Sequence, residues 1–140
     1  MCYTIAVRVF QTNPNIFFHV VERTNWYYAN CRTWFKQDEK HILTMMGGSG
    51  SLRFVTDTGE NFIAAFGVHN YKRWGDIVTN LTNNQTGVVV NPQYDSQADR
   101  EAVRDRQLAS YDAANAKGRN FAINYSGADV NQLVADVISG

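Results

Sequence analysis

The sequence predicts an all-β-dominated fold: short strands forming a sandwich or barrel, with one helical connection laid over them. Three observations lead there. Apolar and polar residues alternate over several short runs. Turn-forming residues separate those runs. One charged stretch between two strand-like runs carries helix-type spacing instead.

The first run sets the pattern. Tyr3, Ile5, Val7 and Val9 point one way, and Thr4, Ala6 and Arg8 point the other, as in a half-buried strand. Thr12-Asn13-Pro14-Asn15 turns the chain, since proline presets one dihedral and asparagine tolerates turn geometry. A second run, Ile16 to Glu22, follows at hairpin distance. Ile42 to Met46 reads as a strand, the glycine-rich Gly47 to Ser51 breaks it as a flexible tip, and Leu52 to Val55 resumes the sheet. After a turn at Asp57-Thr58-Gly59, Phe62, Ala64, Phe66 and Val68 share one face. Gly87 to Asn91, Phe121 to Tyr125 and Leu133 to Ile138 also read as strands. Two stretches read as helix. Asp76 caps a short one carrying Ile77, Val78 and Leu81. Ser96-Gln97-Ala98-Asp99 resembles a capping box opening a helix toward Tyr111, with Glu101 and Arg104 paired on its surface.

No repeat, linker or low-complexity tail divides the 140 residues, so one domain over 1–140 is expected. At 44% hydrophobic and 13% aromatic, the chain holds enough apolar surface for a core without staples. Basic and acidic residues number 13 each, so no net charge draws it to nucleic acid or anionic lipid. An uncharged partner fits better. No apolar run approaches the roughly 20 residues of a membrane helix, so no membrane insertion is expected. The start of the chain carries no basic n-region or apolar h-region, which predicts a cytoplasmic protein with Cys2 and Cys31 reduced. The N-x-S/T matches at Asn80, Asn84 and Asn124 are then inert.

Catalytic signatures are lacking. His19, His41 and His69 are scattered, with no cysteine or histidine at ligand spacing, so neither a metal nor another cofactor is expected. Gly48-Ser49-Gly50-Ser51 lacks the ending of a phosphate loop and the strand–turn–helix setting of a nucleophile elbow. Nothing marks a carboxyl pair with a raised pKa of the kind glycoside hydrolysis requires.

The segment Gly67-Val68-His69-Asn70-Tyr71-Lys72-Arg73-Trp74 gathers a ring, an amide, a phenol, two cations and an indole between a strand and the expected helix at Asp76. Such chemistry suits a pyranose. Asn70 and His69 both donate and accept, and Tyr71 or Trp74 offers a flat apolar face with a polar handle. Two other readings stay open: Tyr71 and Trp74 as core under solvated Lys72 and Arg73, or cations and rings gripping a nucleic-acid strand, which zero net charge disfavours.

The run Phe66 to Trp74, followed by Asp76-Ile77-Val78-Thr79-Asn80-Leu81, resembles the hallmark of fungal fruit-body lectins. So do Tyr3-Thr4-Ile5, Val21-Glu22-Arg23-Thr24, Tyr28-Ala29-Asn30, Gly47-Gly48-Ser49-Gly50 and Asn115-Ala116-Lys117-Gly118-Arg119. The resemblance runs almost end to end. It implies an actinoporin-like β-sandwich of two sheets joined by a helix-loop-helix connection. It also implies a homotetramer with a defensive role, glycans as partners, no enzyme activity and no cofactor. It implies two sugar sites. One takes galactosyl-β-1,3-N-acetylgalactosamine on Ala29, Asn30, Ser49, Gly50, His69, Asn70 and Tyr71. The other takes N-acetylglucosamine on Asp76, Ile77, Thr79, Arg100 and Tyr111. The plain alternative for Asp76 is a helix N-cap, and a carboxylate has acceptor directions enough for both roles. Cys31-Arg32 stands where the family has Gly-Gly, beside the first site. The rival reading is a membrane-active pore former on the same fold, which calls for an amphipathic N-terminal helix where this chain alternates as a strand.

Overall fold

Alternation in the sequence becomes ten strands in the computed structural model, which describes residues 2–26, 33–129 and 131–140. They are β1 (Tyr3–Gln11), β2 (His19–Trp26), β3 (Thr33–Gln37), β4 (Lys40–Met45), β5 (Gly48–Val55), β6 (Asn61–His69), β7 (Lys72–Thr79), β8 (Ser110–Ala114), β9 (Asn120–Asp129) and β10 (Gln132–Ser139). Between β7 and β8 lie α1 (Gly87–Val90), a 3-10 turn (Asn91–Asp95) and α2 (Ala98–Arg106). One sheet runs β3-β4-β1-β10-β9-β8 and the other β2-β5-β6-β7. β1 lies parallel to β10, and the other strand pairs among the described residues are antiparallel. This is the expected sandwich of two sheets with a helical connection.

The inward faces meet in one core. From the larger sheet come Ile5, Val7, Leu43, Phe121, Ile123 and Val137; from the smaller come Leu52, Phe54, Phe62, Ala64, Phe66 and Ile77. Its seam is aromatic. Phe62 stacks on Phe54 at 4.6 Å and on Phe121 of the opposite sheet at 4.1 Å. Phe18 meets Phe62 and Phe121 edge-on. A second cluster covers the outer face of the smaller sheet, where Ile63, Ala65 and Trp74 pack against Val90 and Tyr94 of the helical connection. The smaller sheet is therefore buried on both faces, and the connection is its roof.

Several local expectations give way to tertiary contacts. Ile16 to Glu22 does not pair with β1; β2 joins the other sheet beside β5. The connection is long enough to cross between sheets, and Gln11 pins it by donating to and accepting from the Phe18 backbone. The glycine-rich stretch is not a flexible tip but the first half of β5, paired with β6 from Gly48 to Val55. Glycine is required there because a Cβ at Gly50 would sit 2.9 Å from both Leu43 Cδ2 and the Thr24 carbonyl oxygen. Asp76 caps no helix, since 72–79 is β7, paired with β6 along its length. Gly87 to Asn91 is helical despite three valines: Val90 packs into the cluster under the roof, and Gly87 seats closely on the sheet, where a Cβ would lie 2.3 Å from Thr24 Oγ1. Ser96 caps nothing; its hydroxyl donates to the Pro92 carbonyl. α2 stops short of Tyr111, at left-handed Gln107 (φ 48°), leaving residues 110–114 free to form β8. The Glu101–Arg104 pair does form, at 3.8 Å.

Cys2 is disulfide-bonded, which corrects the expectation of two reduced thiols. β1, which Cys2 precedes, and β3 both run antiparallel to β4, so they begin at the same end of the sheet. Cys31 lies outside the described residues.

Candidate functional site

The segment singled out from sequence is a tight hairpin rather than a loop leading into a helix. His69 pairs with Lys72, and Asn70 (φ 49°) and Tyr71 (φ 67°) form the two-residue turn with both residues left-handed. That geometry matches the right-handed twist of the flanking strands, and asparagine tolerates it. Tyr71 at the tip is 86% exposed.

Beside this turn a cleft of about 460 Å³ opens between the smaller sheet and the helical roof. Ser49, His69 and Asn70 line it from the strands, Trp74 forms part of its wall, and Asp95 and Arg104 close it from the connection. Trp74 is 2% exposed and lies across Gly67, where a Cβ would fall 2.4 Å from the indole. Its ring meets Tyr94 at 4.7 Å, and its carbonyl accepts the Tyr125 hydroxyl at 2.7 Å. We expect Gly67→Ala to displace the indole and destabilise the protein by about 1–3 kcal/mol, measured by urea unfolding.

The polar edge of the cleft is cross-linked. Asn70 Nδ2 lies 3.3 Å from His69 Nε2, which lies 3.7 Å from Asp105 Oδ1. Arg104 reaches Asp95 Oδ1 at 2.9 Å and the Tyr94 carbonyl at 3.0 Å, which fixes α2 to the 3-10 turn. Three residues of the first predicted set therefore converge: Ser49, His69 and Asn70. Gly50 faces the inter-sheet core instead, and Tyr71 stands at the turn's tip. Ala29 and Asn30 lie outside the described residues. Asp95 and Arg104 were not foreseen; they come from a stretch that reads in sequence only as a charged helix.

The second predicted set straddles edge strand β7. Asp76 Oδ2 accepts the Tyr94 hydroxyl at 2.6 Å and lies 3.5 Å from Arg100 Nη1, with both side chains partly open to solvent. Arg100 also donates through Nε to Gln93. Ile77 packs into the inter-sheet core, so its backbone is what it offers a ligand. Thr79 donates to the Ala114 carbonyl at 3.3 Å. Tyr111 is 7% exposed, lies against Gly75 and accepts the Leu108 N–H through its hydroxyl. The structure thus joins Asp76 to Arg100 on the roofed face of β7, while Ile77 and Tyr111 pack into the inter-sheet core on the other face and Thr79 reaches β8.

Burial holds the Asp76 carboxyl above its ordinary range, opposed by hydrogen bonds from Tyr94 and the Ile77 N–H and by the Arg100 charge. The folded state therefore favours the protonated acid. That contribution to stability is present below the unfolded pKa and is lost as pH rises through the folded one. A ligand needing the carboxylate should lose affinity on acidification sooner than it would beside an ordinary aspartate.

No group of three potential metal ligands occurs among the described residues. His41 is buried in the sheet, and burial, with Arg23 and Lys36 nearby, pushes its imidazole pKa down. His19 sits on β2, half-exposed, 3.8 Å from Asp57.

The cleft offers donors, acceptors and an indole wall, a chemistry that suits carbohydrate, and a lectin is a protein that binds carbohydrate without transforming it. The chain belongs to the fungal fruit body lectin family, whose model matches residues 1–137. It is 46% identical to Boletus edulis lectin over 141 residues, covering 99% of each chain. The crystal structure of wild-type Xerocomus chrysenteron lectin superposes with a TM-score of 0.94 at 44% identity, covering 100% of both chains. The lipid binding protein Nakanori shares the fold alone, with a TM-score of 0.60 at 8% identity over 99% of this chain and 71% of that one.

Proposed function

We propose that this lectin binds galactosyl-β-1,3-N-acetylgalactosamine in the cleft beside the β6–β7 turn, and N-acetylglucosamine at the β7 edge. The observation that carries the first assignment is the convergence of Ser49, His69 and Asn70 on one cleft walled by Trp74. Asn70 reads hydroxyls with a donor and an acceptor, and Ser49 adds a hydroxyl. Once a bound sugar covers them, polar groups of this kind reject a misplaced hydroxyl, because an unmatched partner is costly. Ala29, Asn30, Gly50 and Tyr71 complete the proposed set by resemblance. At the second site Asp76 accepts sugar hydroxyls and Arg100 donates to them, with Thr79, Tyr111 and the Ile77 backbone alongside.

One shallow sugar site is weak, on the order of millimolar to micromolar, because few atoms contribute. A homotetramer carrying both sites would gain roughly 10² to 10⁴ in avidity on clustered glycans and crosslink them. Defence against feeding animals belongs to the same proposal. The pore-forming alternative needs an amphipathic helix at the N-terminus, and residues 3–11 are instead a strand held between β4 and β10. A glycan array tests the reading. Native protein should retain mucin-type core and N-acetylglucosamine-ended glycans, and an array on which neither class binds rejects it. A titration with N-acetylglucosamine should also show affinity falling as pH drops from 7 toward about 4. An affinity flat across that range would remove Asp76 from the site.

A further inference from the structure

Two side-chain amides of the helical connection reach the strands that line the cleft. Gln107, the left-handed residue that ends α2, donates through Nε2 to the carbonyls of His69 and Lys72, on either side of the Asn70-Tyr71 turn. Its own carbonyl accepts from Arg73 Nη1 at 3.5 Å, closing the brace from β7. On the other wall Asn91 is fully buried, and its Nδ2 donates to Ser49 Oγ at 3.0 Å. With a lone pair of Ser49 occupied from behind, its hydroxyl hydrogen is left to donate elsewhere. Gln107 does not line the cleft, nor does Asn91.

We propose that Gln107 and Asn91 are positioning residues of the disaccharide site: one clamps the turn that carries His69 and Asn70, and the other sets the hydroxyl of Ser49. This rests on the disaccharide reading above. The brace comes from the residue that ends α2, and its side chain spans both carbonyls that flank a two-residue turn. Without it, the turn keeps its strand pairing, the His69–Asp105 contact at 3.7 Å and the Arg73 bond to the Gln107 backbone carbonyl, but the carbonyls that flank it lose their clamp. His69 and Asn70 would then visit many orientations, and binding would have to select one of them.

Gln107→Gly separates positioning from stability. Glycine adopts a positive φ without strain and is favoured after a helix, so the fold keeps or gains melting temperature while the clamp is lost. Isothermal titration of Gln107→Gly should show about tenfold weaker binding of galactosyl-β-1,3-N-acetylgalactosamine, the loss of one good hydrogen bond's worth of order. Binding of N-acetylglucosamine should stay within about twofold. Asn91→Asp, which can accept from Ser49 but not donate to it, should show the same selective loss. If that buried charge prevents folding, Gln107→Gly alone decides. Unchanged disaccharide affinity in a folded Gln107→Gly protein overturns the proposal, as does an equal loss of both sugars. Wild-type protein that binds neither sugar rejects the functional reading itself and this inference with it.

Discussion

Trp74→Ala is expected to destabilise the protein by about 3–5 kcal/mol, the range for truncating a buried tryptophan. The indole is 2% exposed, fills the space left over Gly67 and meets Tyr94 of the helical roof. Removing it opens a cavity between sheet and roof, and that is also the wall of the cleft. Two readouts should therefore move together: the urea midpoint falls, and the disaccharide affinity falls in the protein that remains folded. Loss of stability with unchanged disaccharide binding would show that the cleft does not use this wall.

Glu60→Ala is expected to cost about 3 kcal/mol, for a different reason. The Glu60 carboxylate is 7% exposed and accepts two hydrogen bonds from Arg119, at 2.9 and 3.1 Å, and one from Asn115 at 2.9 Å. Truncating one member of a fully buried pair strands the other charge at about 3–5 kcal/mol, and this pair is part-buried. The lower end applies because Arg119 retains a path to water. The hydrogen bond from Arg119 holds the Glu60 carboxyl below its ordinary range, against the opposing effect of burial. With the folded pKa depressed, the stabilisation is present above the unfolded pKa and is lost as pH falls through the folded one. Glu60→Ala should thus lower stability at pH 7 and flatten its decline toward acid. A variant with a wild-type urea midpoint at pH 7 would show that the pair contributes nothing net.

β6 was legible because Phe62, Ala64, Phe66 and Val68 alternate cleanly against a single core. The first half of β5 was not, because its small residues signal a loop, whereas Leu52 to Val55 read as strand. Only the neighbours Leu43, Thr24 and Trp34, brought in from other strands, show why Gly50 must lack a side chain. Val88, Val89 and Val90 signal a strand through β-branching, yet they are helical, with Val90 packed under the roof against residues no local pattern brings near it. The cleft was half-visible. His69, Asn70 and Trp74 announce themselves by crowding polar and aromatic groups into a few positions. Asn91 and Gln107 do not, because their partners lie 42 and 38 residues away and no local pattern encodes such a contact. The pairing of Asp76 with Arg100 was reachable only through resemblance to the family, since a carboxylate read as a helix cap gives no hint of a strand edge facing α2.

The central claim is that one chain offers two separate sites for two neutral sugars. Isothermal titration of Asn70→Ala and Asp76→Ala against both ligands tests it most directly. Asn70→Ala is expected to lose galactosyl-β-1,3-N-acetylgalactosamine and keep N-acetylglucosamine, and Asp76→Ala to do the reverse. Either substitution abolishing both in a folded protein, or neither changing either affinity, would contradict it.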